Sequence, residues 1–119
     1  MGTTGGGRLR DYQQGKEPPS QDRCEQELTE VALEEVAATE YYAEHEDVPA
    51  AGTTVSLRSE LVDGRLAVQS EQGAVVGFLP TRYNYLLACI GQGYSYAGEV
   101  ATCSNGTVPR VTVNLAPST

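Results

Sequence analysis

The 119-residue sequence has no tryptophan, a single histidine and only three cysteines. A zinc site needs about four clustered ligands, usually arranged in close pairs. Cys24, Cys89 and Cys103 lie far apart in the sequence, and His45 is the one histidine. The sequence therefore predicts no metal site and no cofactor. All three cysteines are expected to be free thiols, since buried cysteine commonly packs as a small apolar residue.

Long apolar runs are also missing. No stretch approaches the roughly 20 residues that a membrane-spanning helix needs. The N-terminal sequence MGTTGGGRLR lacks the apolar core of a signal peptide, and Gly6 stands where a myristoylation signal has Ser or Thr. We therefore expect a soluble cytoplasmic protein with no membrane partner.

Positive charge is scarce, and the net charge is distributed unevenly. The net charge is −8; residues 1–50 hold 12 acidic and 4 basic residues, whereas residues 51–119 hold 4 of each. Lys16 is the only lysine beside seven arginines. This balance is typical of proteins kept soluble at high salt, and nucleotide bias in a genome produces it too. A halophilic source is thus one of two explanations.

Catalytic motifs are nearly absent. The sequence has no G-x-S-x-G elbow, no phosphate-binding loop and no H-E-x-x-H pair. His45, the one candidate general base near neutral pH, lies in the acidic segment AEHEDVP, which favours an exposed surface position. The sequence therefore predicts that the protein is not an enzyme, and a small-molecule enzyme ranks third among its functions.

The chain is predicted to divide into two parts. Residues 1–27 are rich in Gly, Pro and polar residues, so we expect a mobile N-terminal arm, followed by one β-barrel-like domain over residues 28–119. From Leu28, alternation of apolar and acidic residues favours a strand over about 29–37, with a helical turn carrying Tyr41 and Tyr42 after it. An uninterrupted helix over 25–45 is the alternative, because Ala, Glu and Leu are abundant there.

Alternating segments and turn signals predict the rest of a sheet. Asp63-Gly64 and Asn105-Gly106 are hairpin signals, since such turns need positive φ, and Gln72-Gly73 marks another turn. Gly98 is expected to mark a bulge or sharp bend. The predicted strands lie at 53–59, around Leu66 and Val68, and at 74–79, 94–102 and 111–115.

One helix is predicted between the fourth and fifth strands. Its apolar face has the spacing i, i+3, i+4 and i+7, Thr81 is the expected N-cap, and Gly91 and Gly93 are the expected stop signals. The face consists of Tyr83, Leu86, Leu87 and Ile90. The predicted fold class is therefore mainly β, with one or two short helices and about six strands, as a small OB- or SH3-like barrel or a strongly bent antiparallel sheet.

Tyrosine supplies most of the aromatic residues, with seven copies beside one phenylalanine. Tyr94 and Tyr96, two residues apart on a predicted strand, share one face of it. Exposed rings on such a face can stack on nucleobases, while nearby arginines contact phosphates. The alternative is that the rings are core or half-buried residues whose hydroxyls reach water.

The linear order of these elements resembles a HIRAN domain over roughly residues 29–115. The resemblance rests on the strand with GRLAV, then Gly77-Phe78-Leu79-Pro80, the helix YNYLLACIGQG and the outgoing strand YAGEV. It implies a small OB-like barrel that captures the 3′ end of single-stranded DNA. Where that family carries a segment resembling N-P-x-D-x-N-A, this chain has a tight hairpin at residues 60–65.

Together, these patterns predict a non-catalytic module that binds single-stranded DNA or RNA. The bases of the bound strand would stack on four tyrosines, and two arginines would contact its phosphates. These residues are Tyr41, Tyr42, Tyr94 and Tyr96, with Arg58 and Arg82. The alternative is a protein-interaction adaptor that binds a basic partner through the acidic residues 1–50.

Overall fold

The computed structural model describes residues 21–118, which form one six-stranded sheet with short helices packed on it. Two further segments, Val36–Ala38 and Thr81–Tyr83, are single 3₁₀ turns. The elements are α1 (Gln21–Cys24), β1 (Leu28–Ala32), α2 (Glu40–His45), β2 (Thr54–Val62), β3 (Arg65–Ser70), β4 (Val75–Phe78), α3 (Leu86–Gly91), β5 (Ser95–Asn105) and β6 (Pro109–Ser118).

The strands pair in the order β1-β6-β5-β2-β3-β4, and every pairing is antiparallel. This confirms the predicted mainly-β fold of about six strands. The sheet is bent and is not closed into a barrel. One bridge links the segment after β1 to β4: the N–H of Glu34 donates to the carbonyl of Phe78 (2.8 Å), and the N–H of Phe78 donates back (3.1 Å).

The hairpin between β2 and β3 forms where the sequence predicted it. Asp63 and Gly64 both have positive φ, 53° and 81°. Glycine adopts such angles at little steric penalty, and aspartate tolerates them better than most residues. The turn at Gln72-Gly73 is likewise present, and the buried β4 follows it.

The first strand is shorter than predicted, because β1 ends at Ala32 instead of near residue 37 and Val36–Ala38 forms a 3₁₀ turn. The helix that carries Tyr41 and Tyr42 follows the preferred prediction, and the alternative of one helix over 25–45 is wrong. Leu28 and Val31 are buried where β1 pairs with β6. α2 begins after Thr39, whose side-chain oxygen accepts a hydrogen bond from the backbone N–H of Tyr42 at 3.3 Å. Burial of Leu28 and Val31 against β6, across a shift in strand register, outweighs the helical propensity of the acidic residues around them.

α3 is shorter than the predicted helix. The segment Thr81–Tyr83 forms a 3₁₀ turn, so Thr81 does not cap α3, which begins only at Leu86. Leu86 and Cys89 are its fully buried residues, while Leu87 and Ile90 are half-buried. Cys89, which was not part of the predicted apolar face, is therefore more buried than Leu87 and Ile90, which were.

Gly98 lets two strands approach each other closely. A β-carbon at this position would overlap the backbone carbonyl oxygen of Asn114 on β6. The pairing of β5 with β6 is irregular between Val100 and Thr102 rather than at Gly98 itself. Gly98 is thus required by close backbone approach, one of the two roles that an isolated strand glycine plays.

The prediction of three free cysteines is wrong for two of them. Cys24 and Cys89 form a disulfide with their Cα atoms 5.6 Å apart, and both residues are fully buried. Cys103 is free and exposed. The partners lie 65 residues apart, and tertiary packing of α1 beside α3 brings them together.

The same disulfide places residues 21–27 on the domain. They belong to the segment predicted as a mobile arm, whose residues 1–20 lie outside the described part of the chain. Across residues 21–118, no helix combines the length and apolar character needed to cross a membrane.

Candidate nucleic-acid interface

Tyr94 and Tyr96 lie against the N-terminal segment of the described chain. Tyr94 precedes β5 and is 9% exposed, and Tyr96 on β5 is 1% exposed. The Tyr96 hydroxyl donates to the backbone carbonyl of Cys24 at 2.6 Å, and the Tyr94 hydroxyl donates to Glu25 Oε2 at 3.2 Å. Residues 24 and 25 thus cover the hydroxyl ends of both rings.

Burial also sets the ionisation of Tyr96. Loss of water around the phenol, together with the nearby Tyr85 and Tyr94, raises the pKa of Tyr96 to about 12. The hydroxyl therefore stays neutral and keeps donating its hydrogen bond to the Cys24 carbonyl throughout the physiological pH range.

Tyr41 and Tyr42 are half-buried on α2. The Tyr41 ring stacks on His45, four residues along the helix, with ring centroids 4.0 Å apart and planes 9° from parallel. The Tyr42 hydroxyl donates to Asn105 Oδ1 at 2.8 Å. Tyr42 therefore fastens α2 to the end of β5, whereas Tyr41 and His45 form an aromatic pair near the surface.

Arg58 lies close to α2, but its donors already have partners in the protein. Its Nη2 donates to the Gly73 carbonyl at 2.7 Å, and its Nε donates to Gln69 Oε1 at 3.0 Å. Glu40, the first residue of α2, lies 3.8 Å from the guanidinium. The structure thus brings Arg58 near the helix that carries Tyr41 and Tyr42, where it stabilises the turn between β3 and β4.

Arg82 belongs to a group of residues that the sequence analysis only partly identified. Its guanidinium carbon lies 4.8 Å from the centre of the Tyr83 ring, and that of Arg23 lies 3.7 Å from the Tyr85 ring. Both arginines are exposed and both tyrosines are half-buried. We call these four residues, Arg23, Arg82, Tyr83 and Tyr85, the arginine–tyrosine surface.

The tyrosines of this surface form one of the paired patterns in the sequence, but Arg23 gave no signal. It lies in the segment predicted to be a mobile arm, and only the folded chain brings it to Tyr85, 62 residues further along (85 − 23). Asn84, between the two tyrosines, donates its side-chain N–H to the carbonyl of Gly64 at 2.9 Å. This bond ties the 3₁₀ turn to the β2–β3 hairpin.

Arg65 has a structural role. Its guanidinium pairs with Glu35 and with Glu34 and lies 4.6 Å from the centre of the Phe78 ring. The hydrogen bond that Arg65 donates to Glu35 is the largest of the effects that raise the pKa of Arg65, and Glu34 adds to it. The cluster surrounds the bridge between Glu34 and Phe78.

The exposed acidic residues concentrate in the first part of the described chain. These carboxylates repel phosphate groups. Within residues 21–118, no group of three or more His, Cys, Asp and Glu side chains is arranged to hold a metal ion. The nine exposed acids between residues 25 and 47 are Glu25, Glu27, Glu30, Glu34, Glu35, Glu40, Glu44, Glu46 and Asp47.

Comparisons of the chain with models of protein families, with curated proteins and with solved structures found no match.

Proposed function

We propose that this protein is a non-catalytic module that binds single-stranded nucleic acid. The observation that carries the proposal is the arginine–tyrosine surface, where two guanidinium groups lie directly beside two tyrosine rings. Single-strand binders combine these two elements, rings for the bases and cations for the backbone. The HIRAN resemblance implies the same ligand class, with preference for a 3′ end.

The contribution of stacking should exceed that of charge. Each base stacked on an aromatic side chain contributes about 1–3 kcal/mol. Two exposed arginines neutralise at most two phosphates, so the logarithm of affinity should fall with the logarithm of salt with a slope no steeper than about −1.4. A steep slope would indicate binding through a basic patch that the described residues do not form.

Fluorescence anisotropy of labelled DNA and RNA oligonucleotides, carrying 3′-hydroxyl or 3′-phosphate ends, tests this proposal over a range of KCl. We expect saturable binding, a preference for the free hydroxyl and a shallow salt slope. Arg82→Gln should weaken binding by about threefold to tenfold. Arg110→Gln is the matched control, because Arg110 is exposed on β6, away from this surface.

Two further results test whether the nucleic acid binds on the arginine–tyrosine surface, on α2 or not at all. If Tyr41→Ala weakens binding while Arg82→Gln does not, the ligand lies on α2 instead. Absence of binding by a protein whose circular dichroism shows a folded sheet would reject the nucleic-acid proposal altogether.

A protein-interaction adaptor is the second candidate, favoured by the nine exposed acids between residues 25 and 47. Such a surface attracts a basic partner and repels a nucleic acid. Replacing Glu27 and Glu44 by Gln separates the two functions. A nucleic-acid binder should gain affinity for oligonucleotides, whereas an adaptor should lose affinity for an arginine-rich peptide.

We keep the cytoplasm as the proposed location. Disulfides are rare in reducing compartments. The Cys24–Cys89 bond counts against this location, so cell fractionation decides it: recovery of the protein from the cytoplasmic fraction supports the proposal, and recovery from an oxidising compartment contradicts it.

A further inference from the structure

Residues 21–27 cross over the tyrosines at the beginning of β5, and we call this segment the strap. The Cys24–Cys89 disulfide joins it to α3. Hydrogen bonds from Tyr96 to the Cys24 carbonyl and from Tyr94 to Glu25 hold it over β5. In addition, Arg23 lies on the Tyr85 ring. The strap thus contacts three of the six tyrosines in residues 21–118.

We propose that the strap is a redox-controlled cover, closed by the Cys24–Cys89 disulfide and released when that bond is reduced. In the closed form, Arg23 occupies a face of Tyr85, and residues 24 and 25 cover the hydroxyl ends of Tyr94 and Tyr96. Release takes Arg23 off Tyr85, so the arginine–tyrosine surface exchanges one of its two guanidinium groups for open ring area at Tyr85, Tyr94 and Tyr96. The effect on nucleic-acid binding rests on the proposed function, whereas the release itself does not.

The disulfide is the covalent cross-link that holds the strap to α3. α1 has only four residues, and a helix that short is not stable without tertiary contacts. After reduction, the strap keeps side-chain hydrogen bonds and the Arg23–Tyr85 contact, each of which contributes only modestly to stability. Segments held in this way open locally while the remaining fold stays intact.

The sheet has its own anchor immediately after the strap. Leu28 begins β1 and pairs with Leu115 of β6, and Val31 pairs with Val113. Both β1 residues are buried in the core. Opening of residues 21–27 therefore need not separate β1 from the sheet, and the change is expected to stop at residue 28.

The chemistry requires a dithiol reductant. A thiolate of the dithiol attacks one sulfur, the Cys24–Cys89 bond breaks, and the other cysteine leaves as a thiolate that takes up a proton. The second thiol of the reductant then displaces the first cysteine and forms the reductant's own disulfide. Two electrons and two protons thus pass to Cys24 and Cys89. Because both residues are fully buried, the attack proceeds through transient opening of the strap.

Charge gives the direction of the effect on binding. The strap carries Asp22, Glu25 and Glu27 against the single base Arg23, a net charge of −2 (1 − 3). Its release moves this negative charge away from the tyrosines and adds ring surface for stacking. We therefore expect the reduced protein to bind single-stranded DNA about tenfold more tightly than the oxidised protein.

Hydrogen exchange of the full chain, followed by mass spectrometry, tests the release. It should be done with Cys103→Ser, which removes the exposed free thiol that could exchange with the disulfide. On adding dithiothreitol, amides in residues 21–27 should exchange at least about tenfold faster, while β5 and β6 stay protected. The double variant Cys24→Ser and Cys89→Ser should match the reduced protein without any reductant.

The possible results are distinct. If the strap keeps its protection after reduction, or if the whole sheet loses protection, the proposed cover is wrong. If the strap opens but oligonucleotide anisotropy shows equal affinity in both redox states, its control of binding is wrong while nucleic-acid binding stands. If the strap opens and neither form binds, the cover is supported and the proposed function fails.

Discussion

At the scale of single residues, Tyr94 and Tyr96 show what a local pattern can establish. Their spacing correctly suggested two rings on one side of the chain, because side chains two residues apart on a strand share a face. The sequence offered two environments for them, an exposed stacking face or a buried one. What covers them lies 69 and 72 residues away along the chain, so local periodicity could not distinguish the two.

Tyr96 makes a pH-dependent contribution to stability. Its pKa is about 12 in the folded protein, above the ordinary value of 10.0. The folded state therefore holds this proton more tightly, so its contribution is complete below pH 10 and is lost as the pH rises to 12. The loss should be roughly 2–3 kcal/mol.

The variant Tyr96→Phe should remove this pH dependence. At pH 7 it should also lower the free energy of unfolding by about 1–2 kcal/mol, since the Cys24 carbonyl loses its buried donor. Urea unfolding from pH 8 to 12 measures both effects, with Tyr41→Phe as the half-buried control. An equal decline above pH 10 in the Tyr96→Phe protein would show that another group is responsible.

At the scale of elements, turn chemistry was the most predictable feature. Asp63-Gly64 defined its hairpin because the required backbone angles are a property of two adjacent residues. The length of α3 could not be predicted in the same way, since its start depends on how residues 81–85 pack. The Cys24–Cys89 bond was missed because spacing in sequence carries no information on a contact over 65 residues.

The candidate site was predictable to a smaller extent than the fold. The tyrosine at position 83 and the arginine beside it were visible as a pattern, but Arg23 and Arg58 acquired their roles only through tertiary contacts. Arg23 meets Tyr85 across the fold, and Arg58 is bonded to Gly73 and Gln69. A list of charged and aromatic residues does not show which of them already have partners.

The cluster around Arg65 should control the link between β4 and the segment after β1. Arg65→Met keeps an apolar stem but removes the ion pairs with Glu34 and Glu35 and the guanidinium above Phe78. We expect faster hydrogen exchange at the amides of Glu34 and Phe78, because their bridge is the isolated one in the sheet.

The loss of global stability from Arg65→Met should be modest, about 1–2 kcal/mol, because both carboxylates are about half exposed. Arg110→Met, at an exposed position of β6, serves as the control. Unchanged exchange at both amides would mean that backbone geometry alone maintains the bridge.

At the scale of the whole molecule, the main feature is the uneven distribution of charge, which affects stability. The net charge is −8, and the exposed acids lie close together between residues 25 and 47. Mutual repulsion of these groups destabilises the compact state, and added salt screens it. Neutral-pH stability should therefore rise with KCl.

Raising KCl from 0.1 to 1 M should stabilise the protein by about 1 kcal/mol, corresponding to an increase in Tm of roughly 4–8 °C. Differential scanning calorimetry measures this change. The variant with Glu27→Gln and Glu44→Gln should show a smaller increase, since fewer charges remain to be screened. An equal increase in both proteins would indicate a general effect of the salt on apolar burial instead.

The pairing of β1 with β6 has a consequence for the two ends of the described chain. Leu28 lies opposite Leu115, and Glu25, Tyr94 and Ser118 line one shallow pocket. Both ends therefore emerge at one corner of the molecule, where a short linker could join them. A circular permutant opened at the Asp63-Gly64 turn would keep every strand pair and lose only the covalent connection of that hairpin. A domain fused directly before residue 21 or after residue 118 would lie beside the strap.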